Sequence, residues 1–523
     1  MPGTQETNIV ELRKRGIVKL KDDDMYAVWI KTACGNLNSA QIHALAGITE
    51  RYGRGFLLFS SRQIPIIPFI KSDDLDAVQE ELAAVYLNLD RCGPTVRNVN
   101  VCLGRLCPHA VADPIILAQK LDNFFYAPLA NKVKLGVAGC ARDCIASRAL
   151  TDIGFVPTPG NGRAYDTYFG GRLGLNPFLG VRMAETLNEE ECLRLVQNFF
   201  ELMNREGRRG DRAADLIERL GAETIRRELL KELDQASNLA PIACPTAELG
   251  DYAERQTLRL RATAGEVTAA QLKKIAAVAE RHGVGFVHFD VRGGPEIPGI
   301  SVSDFATARR ELAAAGMETI DGGLENMQSC FGGYCTESLA DPQALLKKID
   351  VMARESGLSG VKMTVSASGC PNSCGISHLS DIGFYGAAEF DVDAGSCSGC
   401  GLCAQVCKRK AIEIVDGSAT IDDALCRHCG QCLSVCPFDA LLEKRRGFAV
   451  LVGGRGGQDT RLGQIIAGCV SEDEAVTITE KLMRLIQENC ADAATIIDRW
   501  GVDRVKRAIL NPAGCDSRTG AVI

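Results

Sequence analysis

Sixteen of the 23 cysteines in this chain fall into closely spaced groups, and the chemistry that such groups support is metal binding. Two runs, "CSGCGLCAQVCK" and "CRHCGQCLSVCP", have the C-x2-C-x2-C-x3-C spacing of bacterial two-cluster ferredoxins, in which the fourth cysteine of each run binds the other cluster. The predicted 4Fe-4S ligand sets are Cys397, Cys400, Cys403 and Cys436 for one cluster and Cys407, Cys426, Cys429 and Cys432 for the other. Structural zinc also uses four cysteines per site, but this doubled spacing is less typical of zinc ribbons. The two runs therefore predict an electron-transfer module.

Eight further cysteines form two sets of two pairs. The first set is Cys102, Cys107, Cys140 and Cys144, and the second is Cys330, Cys335, Cys370 and Cys374. Four thiolates split between two loops suit a cubane, and zinc could use the same ligands. The seven scattered cysteines are expected to be small buried hydrophobic residues: Cys34, Cys92, Cys192, Cys244, Cys469, Cys490 and Cys515.

The elements that must position these thiols occur twice along the chain. The stretch "NSAQIHALAGITERYGRGFLLFSSR" from Asn38 matches "TAAQLKKIAAVAERHGVGFVHFDVR" from Thr268, at an offset of 230 residues. The offset grows to 283 between Gly170 and Gly453, so the second copy contains an insertion after Phe384 that holds the two ferredoxin-like runs. The chain is thus predicted to be internally duplicated.

Each copy predicts the same succession of helices and strands. Asn38 and Thr268 are suitable N-caps for amphipathic helices that Gly53 and Gly283 would end. The apolar runs "GFLLF" and "GFVHF" predict strands, as do "KVKLGVAGC" and "VKMTVSASGC", which lead into cysteines. The stretches "ADPIILAQKLDNFF" and "DEAVTITEKLMRLIQEN" predict helices. The fold class is therefore α+β, with residues 231–250 as the join between the copies.

Composition and charge restrict the functional classes. The formal net charge of −7 argues against a surface that binds nucleic acid. The first twenty residues lack an apolar signal region, and no run approaches the ~20 apolar residues of a membrane span, which predicts a cytoplasmic protein without a membrane partner. In a reducing compartment, so many cysteines indicate metal ligands and not disulfides.

The stretch "SGCPNSCGISHLSDIGF" from Ser368 resembles the siroheme-and-cluster signature of the nitrite and sulfite reductases, and "AGCARDCIASRALTDIGF" from Ala138 is a less regular copy of it. Nearly the whole chain is similar to that family, most of all to a dissimilatory-type sulfite reductase with two homologous halves fused. The resemblance implies a 4Fe-4S cluster bridged to siroheme iron by the last cysteine, Cys374 or Cys144. One departure is that "CLGRLC" and "CFGGYC" have four intervening residues where many members have five.

The resemblance also implies four basic residues that hold the oxyanion, donated by the half opposite the cysteine set. They correspond to Arg62, Arg97, Lys132 and Lys134 in the first copy. The second copy has Arg292, Glu325, Lys362 and Thr364 at these positions. Loss of two cations and gain of a carboxylate disfavour an anion. The Cys374 set is therefore predicted to be catalytic, and the Cys144 set to hold a second cofactor of lesser or no activity.

Siroheme carboxylates also need basic partners. Arg172 and Arg455, in two "GGR" turns, are candidates, with Arg292 and Lys362 beside the first-copy set. Each arginine could equally be an ordinary surface residue after a tight turn.

The resemblance implies an α+β sulfite-reductase-like fold in which a ferredoxin-like half-domain and a siroheme/4Fe-4S domain occur twice. The predicted boundaries are 1–85 and 86–245 for the first copy, 246–325 and 326–523 for the second, and 388–446 for the inserted two-cluster ferredoxin. The implied activity is six-electron reduction of sulfite to sulfide. Nitrite reduction to ammonia, or a non-catalytic iron-sulfur electron-transfer role, is the alternative.

The implied cofactors are one or two sirohemes, two 4Fe-4S clusters in the insert and one or two coupled to siroheme. The implied partners are a small oxyanion and an external electron donor, a ferredoxin or a reductase subunit, because no dinucleotide-binding G-x-G-x-x-G follows a strand. The oligomeric state stays open, a homo-oligomer included.

Overall fold

The computed structural model describes residues 3–125, 129–158, 161–231, 233, 255–320, 322–325 and 327–510. Among them, no helix is both long and apolar enough to cross a bilayer. The prediction that falls partly outside this range is the join at 231–250.

The α-helices and strands described in the first copy fall into two groups. The first group is α1 (Gly3–Lys14), β1 (Ile17–Lys19), β2 (Met25–Trp29), β3 (Asn36–Asn38), α2 (Ser39–Arg51), β4 (Phe56–Phe59), β5 (Pro65–Lys71) and α3 (Leu75–Ala84). The second group is β6 (Asn100–Val101), α4 (Pro114–Phe125), β7 (Leu135–Val137), α5 (Ser147–Leu150), β8 (Ile153–Thr158), β9 (Asn161–Phe169), β10 (Val181–Leu187), α6 (Glu189–Glu206), α7 (Ala213–Leu220) and α8 (Ala222–Leu229).

The second copy repeats this order around the insertion. Its first group is β11 (Arg255–Arg259), β12 (Glu266–Thr268), α9 (Ala269–His282), β13 (Phe286–Phe289), β14 (Pro295–Ser301) and α10 (Val302–Ala313). Its second group is β15 (Gln328–Ser329), α11 (Pro342–Glu355), β16 (Val365–Ser368), β17 (Ile382–Val392), α12 (Leu402–Val406), β18 (Ile412–Val415), β19 (Ser418–Ile421), β20 (Leu441–Val452), β21 (Gln464–Val470), α13 (Glu472–Asn489), α14 (Ala493–Trp500) and α15 (Val502–Leu510).

The predicted helix caps are confirmed. The Asn38 side chain accepts a hydrogen bond from the Gln41 N–H and forms a capping box at the start of α2, and Thr268 does the same for α9. Gly283 caps α9 as predicted, whereas α2 ends one residue before Gly53, at a Tyr52 cap.

The two half-domains share their sheets, which locks the copies together. The sheet order β1-β2-β5-β4-β12 ends with a strand from the second copy, and β11-β14-β13-β3 ends with a strand from the first. Phe59 stacks on its counterpart Phe289 at a centroid distance of 3.7 Å. A contact between equivalent residues marks a pseudo-twofold axis. The loops that follow β4 and β13 therefore point into opposite halves.

Each larger domain is built on a five-stranded mixed sheet. The orders are β10-β9-β8-β7-β6 and β15-β16-β17-β20-β21, with three parallel strands followed by antiparallel ones in each. Helices α4 and α6 pack against the first sheet, and α11 and α13 against the second. The carboxyl ends of the parallel strands are free to carry the cysteine loops.

The insertion lies at the tip of a hairpin. Strands β17 and β20 pair from Ile382 with Val452 out to Val392 with Leu441, whereas the equivalent β8–β9 hairpin ends where Thr158 pairs with Asn161. Residues 393–440 thus form the added module, which is shorter than the predicted 388–446 because both strands continue across those boundaries.

Candidate active site

The second-copy cysteines meet at one edge of their sheet. Cys330 follows β15, and Cys370 and Cys374 follow β16, its parallel neighbour. Parallel strands run in one direction, so the loops after them emerge at the same edge. The Gly369 N–H donates to Cys330 Sγ at 3.3 Å, and Cys335 follows a short 3-10 turn beside them.

The first-copy set has the same geometry. Cys102 follows β6, Cys140 and Cys144 follow β7, and the Gly139 N–H donates to Cys102 Sγ at 3.0 Å. Cys107 follows the corresponding 3-10 turn. The duplication in sequence therefore yields two equivalent cradles for a cofactor.

The signature residues of the second copy hold its loops in close contact. A Cβ on Gly369 would lie 2.0 Å from Ser338 Oγ, so only glycine fits there. The Ser368 hydroxyl accepts the Gly375 N–H at 2.9 Å and bonds the Ser377 hydroxyl at 2.8 Å. Ala138 occupies the equivalent position in the first copy and has no hydroxyl to make these bonds.

The less regular spacing of the first copy has a local cause. After its last cysteine the chain forms the four-residue helix α5, where the second copy forms a three-residue 3-10 turn at Ser377–Leu379. The helix α5 accommodates the additional residue of the first copy, so Asp152 and Asp381 remain at equivalent positions.

The thiols have the chemistry of cluster ligands. Burial raises the pKa of Cys102 and of Cys370 to about 12 and that of Cys144 to about 11, and the charges of neighbouring cysteines in each set add to the effect. Because iron binds the thiolate, these groups stay protonated until metal displaces the protons. The residues therefore fit a cofactor whose own charge compensates for burial.

Zinc and a 4Fe-4S cubane place different demands on four cysteines. Zn–S bonds of about 2.3 Å would bring four thiolates within about 4 Å of each other. A cubane binds each thiolate at a different iron corner and so accepts wider spacing.

In the insert, the fourth cysteine of each run lies near the first three cysteines of the other run. One small cavity is lined by Cys397, Cys400, Cys403 and Cys436. The pKa of Cys432 is raised to about 12, first by burial and then by charges on the remaining three: Cys429, Cys426 and Cys407. Backbone N–H groups donate to Sγ of three of these cysteines at 3.3–3.4 Å.

The loop after β4 places Arg62 against the second-copy cysteines. The Ser61 hydroxyl donates to the Cys374 carbonyl at 2.9 Å across the interface between the halves. Arg62 Nη1 lies 3.1 Å from Asp90 Oδ2, and its guanidinium lies 4.1 Å from the centre of the Trp29 ring. The loop after β4 thus places the guanidinium of Arg62 in the site of the other half.

The other predicted basic residues gather around Arg62. Arg97 is buried, its Nε has no hydrogen-bond partner, and its pKa is lowered to about 10 by burial and by the charge of Arg62. Burial, followed by the charges of Arg212 and Arg62, lowers the pKa of Lys134 to about 7. Burial and the charge of Lys134 lower the pKa of Lys132. These cations repel one another, which prepares the pocket for an anion. We call Arg62, Arg97, Lys132, Lys134 and Arg212 the basic pocket.

The first-copy cysteines face a different surface. A cavity of about 580 Å³ has all four of these cysteines on one side. Its charged residues from the second copy are Arg259, Asp290, Arg292, Glu296 and Glu325. A second cavity of about 540 Å³ shares Arg292 and Glu325 with the first and is also lined by Lys362 and Arg455. Arg292, Lys362 and Arg455 of the second copy thus line the cavities next to the first-copy cysteines.

Carboxylates offset the cations in this first-copy cavity. Arg259 Nε lies 3.3 Å from Glu296 Oε1, and Arg292 Nε lies 3.8 Å from Glu325 Oε2. Burial raises the pKa of Asp290 and of Glu296, which favours their neutral forms. The first-copy cavity therefore combines arginines with carboxyl groups, whereas cations dominate the basic pocket.

Arg172 and Arg455 occupy equivalent positions and both form ion pairs within their own copy. Arg172 pairs with Asp215, and its Nη2 lies 3.4 Å from Glu218 Oε2. Arg455 Nη2 lies 2.7 Å from Asp492 Oδ2. Their role toward siroheme carboxylates stays a prediction.

Arg212 is absent from the sequence prediction, although a signal for it exists. The stretches "RAADLIERLG" from Arg212 and "DAATIIDRWG" from Asp492 are equivalent, and each begins at the N-cap of a helix, α7 or α14. Alignment of these stretches would have shown a further cation in the first copy replaced by an anion in the second. The carboxylates Asp290 and Glu296 were also missed.

The prediction for the scattered cysteines is partly wrong. Cys34, Cys92, Cys192 and Cys469 are buried, but Cys490 is exposed where α13 ends in a left-handed residue. The other two, Cys244 and Cys515, lie outside the described residues.

The duplicated fold and its cysteine cradles fit a redox protein with iron-sulfur chemistry, and the basic pocket has the charge to suit a small anion. Comparison with known proteins agrees with this class. Residues 92–237 and 322–516 match the nitrite and sulphite reductase 4Fe-4S domain, and residues 18–85 and 251–315 match the nitrite/sulfite reductase ferredoxin-like half domain. The chain belongs to the nitrite and sulphite reductase family, and it is an oxidoreductase with siroheme and 4Fe-4S cofactors.

Individual relatives include enzymes of both names. The chain is 32% identical over 246 residues to a coenzyme F420-dependent sulfite reductase of Methanocaldococcus jannaschii, which covers 46% of this chain and 39% of that protein. It is 24% identical over 410 residues to the chloroplastic ferredoxin–nitrite reductase of Spinacia oleracea, covering 71% and 68%. The solved structure of the Mycobacterium tuberculosis NirA protein shares the fold with a TM-score of 0.71 at 19% identity, covering 96% and 91%.

Proposed function

We propose that the chain reduces sulfite to sulfide at the second-copy site. Bisulfite, six electrons and six protons give hydrosulfide and three waters. The protein must therefore bind an oxyanion, deliver electrons one after another and supply protons in a place that water does not reach freely.

One observation carries the proposal. The two copies differ in their basic residues and in the cysteine-rich insert, and both the basic pocket and the insert lie next to the Cys374 set. The basic pocket faces this set across the interface between the halves. The cysteine-rich insert extends from the hairpin of the same domain. The first-copy set has neither, since its pocket contains carboxylates and its hairpin is short.

The packing of the insert supports a role as an electron-transfer module of the two-cluster ferredoxin type. The Ala388 N–H in β17 donates to the His428 carbonyl at 2.8 Å. A Cβ on Gly430 would lie 3.5 Å from Leu339, four residues beyond Cys335. The loop with Cys426, Cys429 and Cys432 therefore packs on the domain that holds the proposed catalytic set.

Tyr385 lies between the two groups of cysteines. Its backbone pairs with Ser368, two residues before Cys370. Burial raises its pKa to about 12, and charges on Cys426 and Cys429 contribute. These contacts make the Cys407, Cys426, Cys429 and Cys432 set the inner one. The set of Cys397, Cys400, Cys403 and Cys436, with Cys400 exposed, is the outer one and would accept electrons from the donor.

The basic pocket would bind and protonate the substrate. Siroheme, when bound, supplies the reduced iron for the oxyanion. Arg62 and Arg97 offer guanidinium donors for the oxygens of the substrate. Lys134 has a pKa near neutrality, so it can donate a proton and be protonated again.

Anion affinity should depend on the charge of Lys134. A lysine is cationic below its pKa, so Lys134 is charged below about pH 7 and loses its charge as the pH rises above that value. We expect KM for sulfite to increase at least tenfold between about pH 6 and about pH 9. Steady-state measurements on wild type and Lys134→Arg test this, because the guanidinium stays charged and should remove much of that increase. An identical pH profile in the variant would contradict it.

The electron donor in this proposal is a separate protein. Relatives are named for ferredoxin and for coenzyme F420, and a ferredoxin or a reductase subunit would meet the outer cysteine set of the insert.

Nitrite reduction to ammonia is the second candidate. The spinach relative that covers 71% of the chain is a nitrite reductase, and a cationic pocket alone does not distinguish these oxyanions. Rates with both anions and one common reductant separate the two.

The test is anaerobic purification of the holoenzyme, with siroheme and iron per chain measured, and sulfide and ammonium assayed with reduced viologen. Faster sulfide formation supports the proposal, and faster ammonium formation replaces it with the second candidate. Cubane absorption without extractable tetrapyrrole would indicate a non-catalytic electron-transfer subunit. Zinc in place of iron would exclude all three.

A further inference from the structure

A buried ion pair forms one wall of the basic pocket. Arg212 Nε and Nη2 each donate to a different oxygen of Asp152 at 2.7 Å. The Asp152 side chain is 1% exposed and that of Arg212 is 16% exposed. This parallel geometry is the strongest arrangement that an arginine and a carboxylate can adopt. Arg212 precedes α7 and is far in sequence from the other residues of the pocket.

Asp152 is tied to the backbone of Lys134 from both sides. The Lys134 N–H donates to Asp152 Oδ2 at 2.7 Å, and the Asp152 N–H donates to the Lys134 carbonyl at 2.8 Å. The charge on Asp152 also reaches the Lys134 ammonium, since it raises the pKa of that group against the effect of burial. Any change in the pairing of Asp152 will therefore change the electrostatic environment of the Lys134 ammonium.

The second copy shows the same carboxylate without its arginine. Asp381 accepts the Thr364 N–H at 2.9 Å, as Asp152 accepts that of Lys134. It also accepts the Thr364 hydroxyl at 2.8 Å and the Ala493 N–H at 3.1 Å. Asp492 occupies the position of Arg212 and pairs with Arg455. Lysine at 134 and arginine at 212 thus occur together in one copy and are both absent from the other.

The joint presence of Lys134 and Arg212 in one copy and their joint absence from the other have an electrostatic reason. A buried carboxylate beside a buried ammonium would form its own ion pair and remove that cation from the pocket. A hydroxyl in place of the ammonium, as at Thr364, needs no such protection. Arg212 occupies both oxygens of Asp152 and so leaves the ammonium of Lys134 available to another anion.

We propose that Arg212 is a positioning residue that determines oxyanion affinity by neutralising Asp152 and keeping Lys134 free for the substrate. The inference rests on the proposed function, because the anion is the sulfite or nitrite of that site. Arg212 acts through Asp152 and Lys134 and is not itself assigned a contact with the substrate.

The experiment measures sulfite binding to the oxidised holoenzyme by the change in its siroheme absorption, together with KM and kcat. In Arg212→Gln we expect the Kd and KM for sulfite to rise about tenfold to 100-fold, with a smaller change in kcat and unchanged siroheme content. Arg212→Lys should recover part of the affinity, because it retains one charge next to Asp152.

The decisive variant is Arg212→Gln combined with Asp152→Asn. If Arg212 acts by neutralising Asp152, removal of that carboxylate should restore the Kd to within a few-fold of wild type. A purely structural role predicts that the double variant is at least as impaired as the single one, and that result would overturn the inference. So would an unchanged Kd in Arg212→Gln.

Arg219→Gln is the matched control. Arg219 is on the same helix α7, and its Nη1 donates to Asp211 at 2.8 Å, so the substitution breaks a similar pair away from the pocket. We expect wild-type affinity in this variant. If wild type binds neither sulfite nor nitrite, the proposed function fails and this inference with it. If it binds sulfite while Arg212→Gln binds equally well, only the inference fails.

Discussion

Exchange of Arg97→Glu together with Lys134→Thr should lower kcat/KM for sulfite by about 10³-fold or more, because it gives the second-copy site the residues that face the first-copy site. Loss of a single preorganised donor at a charged transition state typically costs about 10² to 10³. Here two cations are lost and a carboxylate is added in the basic pocket, which is buried and is supplied by the first copy. Steady-state kinetics and sulfite titration of the holoenzyme measure the effect.

The comparison uses a basic residue of the other pocket, Arg292, which is the second-copy equivalent of Arg62. Arg292 lies 3.8 Å from Glu325 in the first-copy cavity, and Arg292→Ala should affect turnover far less than the exchange. Siroheme and iron per chain must be equal in both variants for the comparison to hold. Full turnover in Arg97→Ala and Lys134→Ala, with Arg292→Ala inactive, would reverse the assignment of the two sites.

The local features of this fold were accessible from the sequence because short-range physics determines them. Asn38 and Thr268 cap their helices in the predicted manner, since a capping box depends on residues three apart. The cysteine spacing likewise places each set on the loops after adjacent parallel strands. Internal duplication strengthened these predictions, because each element could be compared with its copy.

Features that depend on contacts between the halves were less accessible. The exchanged strands β3 and β12 have three residues each, too few to show a pattern, yet they lock the two half-domains together. Arg212 joins the basic pocket through Asp152, sixty positions away. Asp290 and Glu296 replace Ser60 and Ile66 of the first copy, and their importance emerges only because β13 and β14 face the opposite half's cysteines.

The asymmetry of the two copies consists of two kinds of difference. The first copy has cations at three pocket positions where the second copy has none, and the second copy carries the insert on its own hairpin. Since each half supplies the pocket of the other, the cations of the first copy and the insert of the second both lie toward the Cys374 set. Had the pocket residues served their own half, electrons and substrate would arrive at different cofactors.

Replacement of Cys432 by serine should separate electron delivery from substrate binding. Cys432 belongs to the inner set of the insert, where burial and charges on Cys429, Cys426 and Cys407 raise its pKa to about 12. Serine is a poor iron ligand, so we expect loss of up to four iron atoms per chain as one cluster fails to assemble. Turnover with a protein donor should fall by more than about 100-fold, beyond what substitution of outer-shell residues costs at metal sites.

Sulfite binding to the oxidised enzyme should be nearly unchanged in Cys432→Ser, because the residues of the basic pocket belong to the first copy and the substituted thiol belongs to the insert of the second. The control is Cys469→Ser, which alters a buried thiol of β21 outside both predicted sets and should leave the iron content at the wild-type value. If Cys432→Ser retained full iron and full turnover with the protein donor, the insert would not be the route by which electrons reach the Cys374 set. Turnover with a small reductant that reaches the inner cofactor directly should decline less than turnover with the protein donor, and equal declines would indicate that the substitution damaged the site itself.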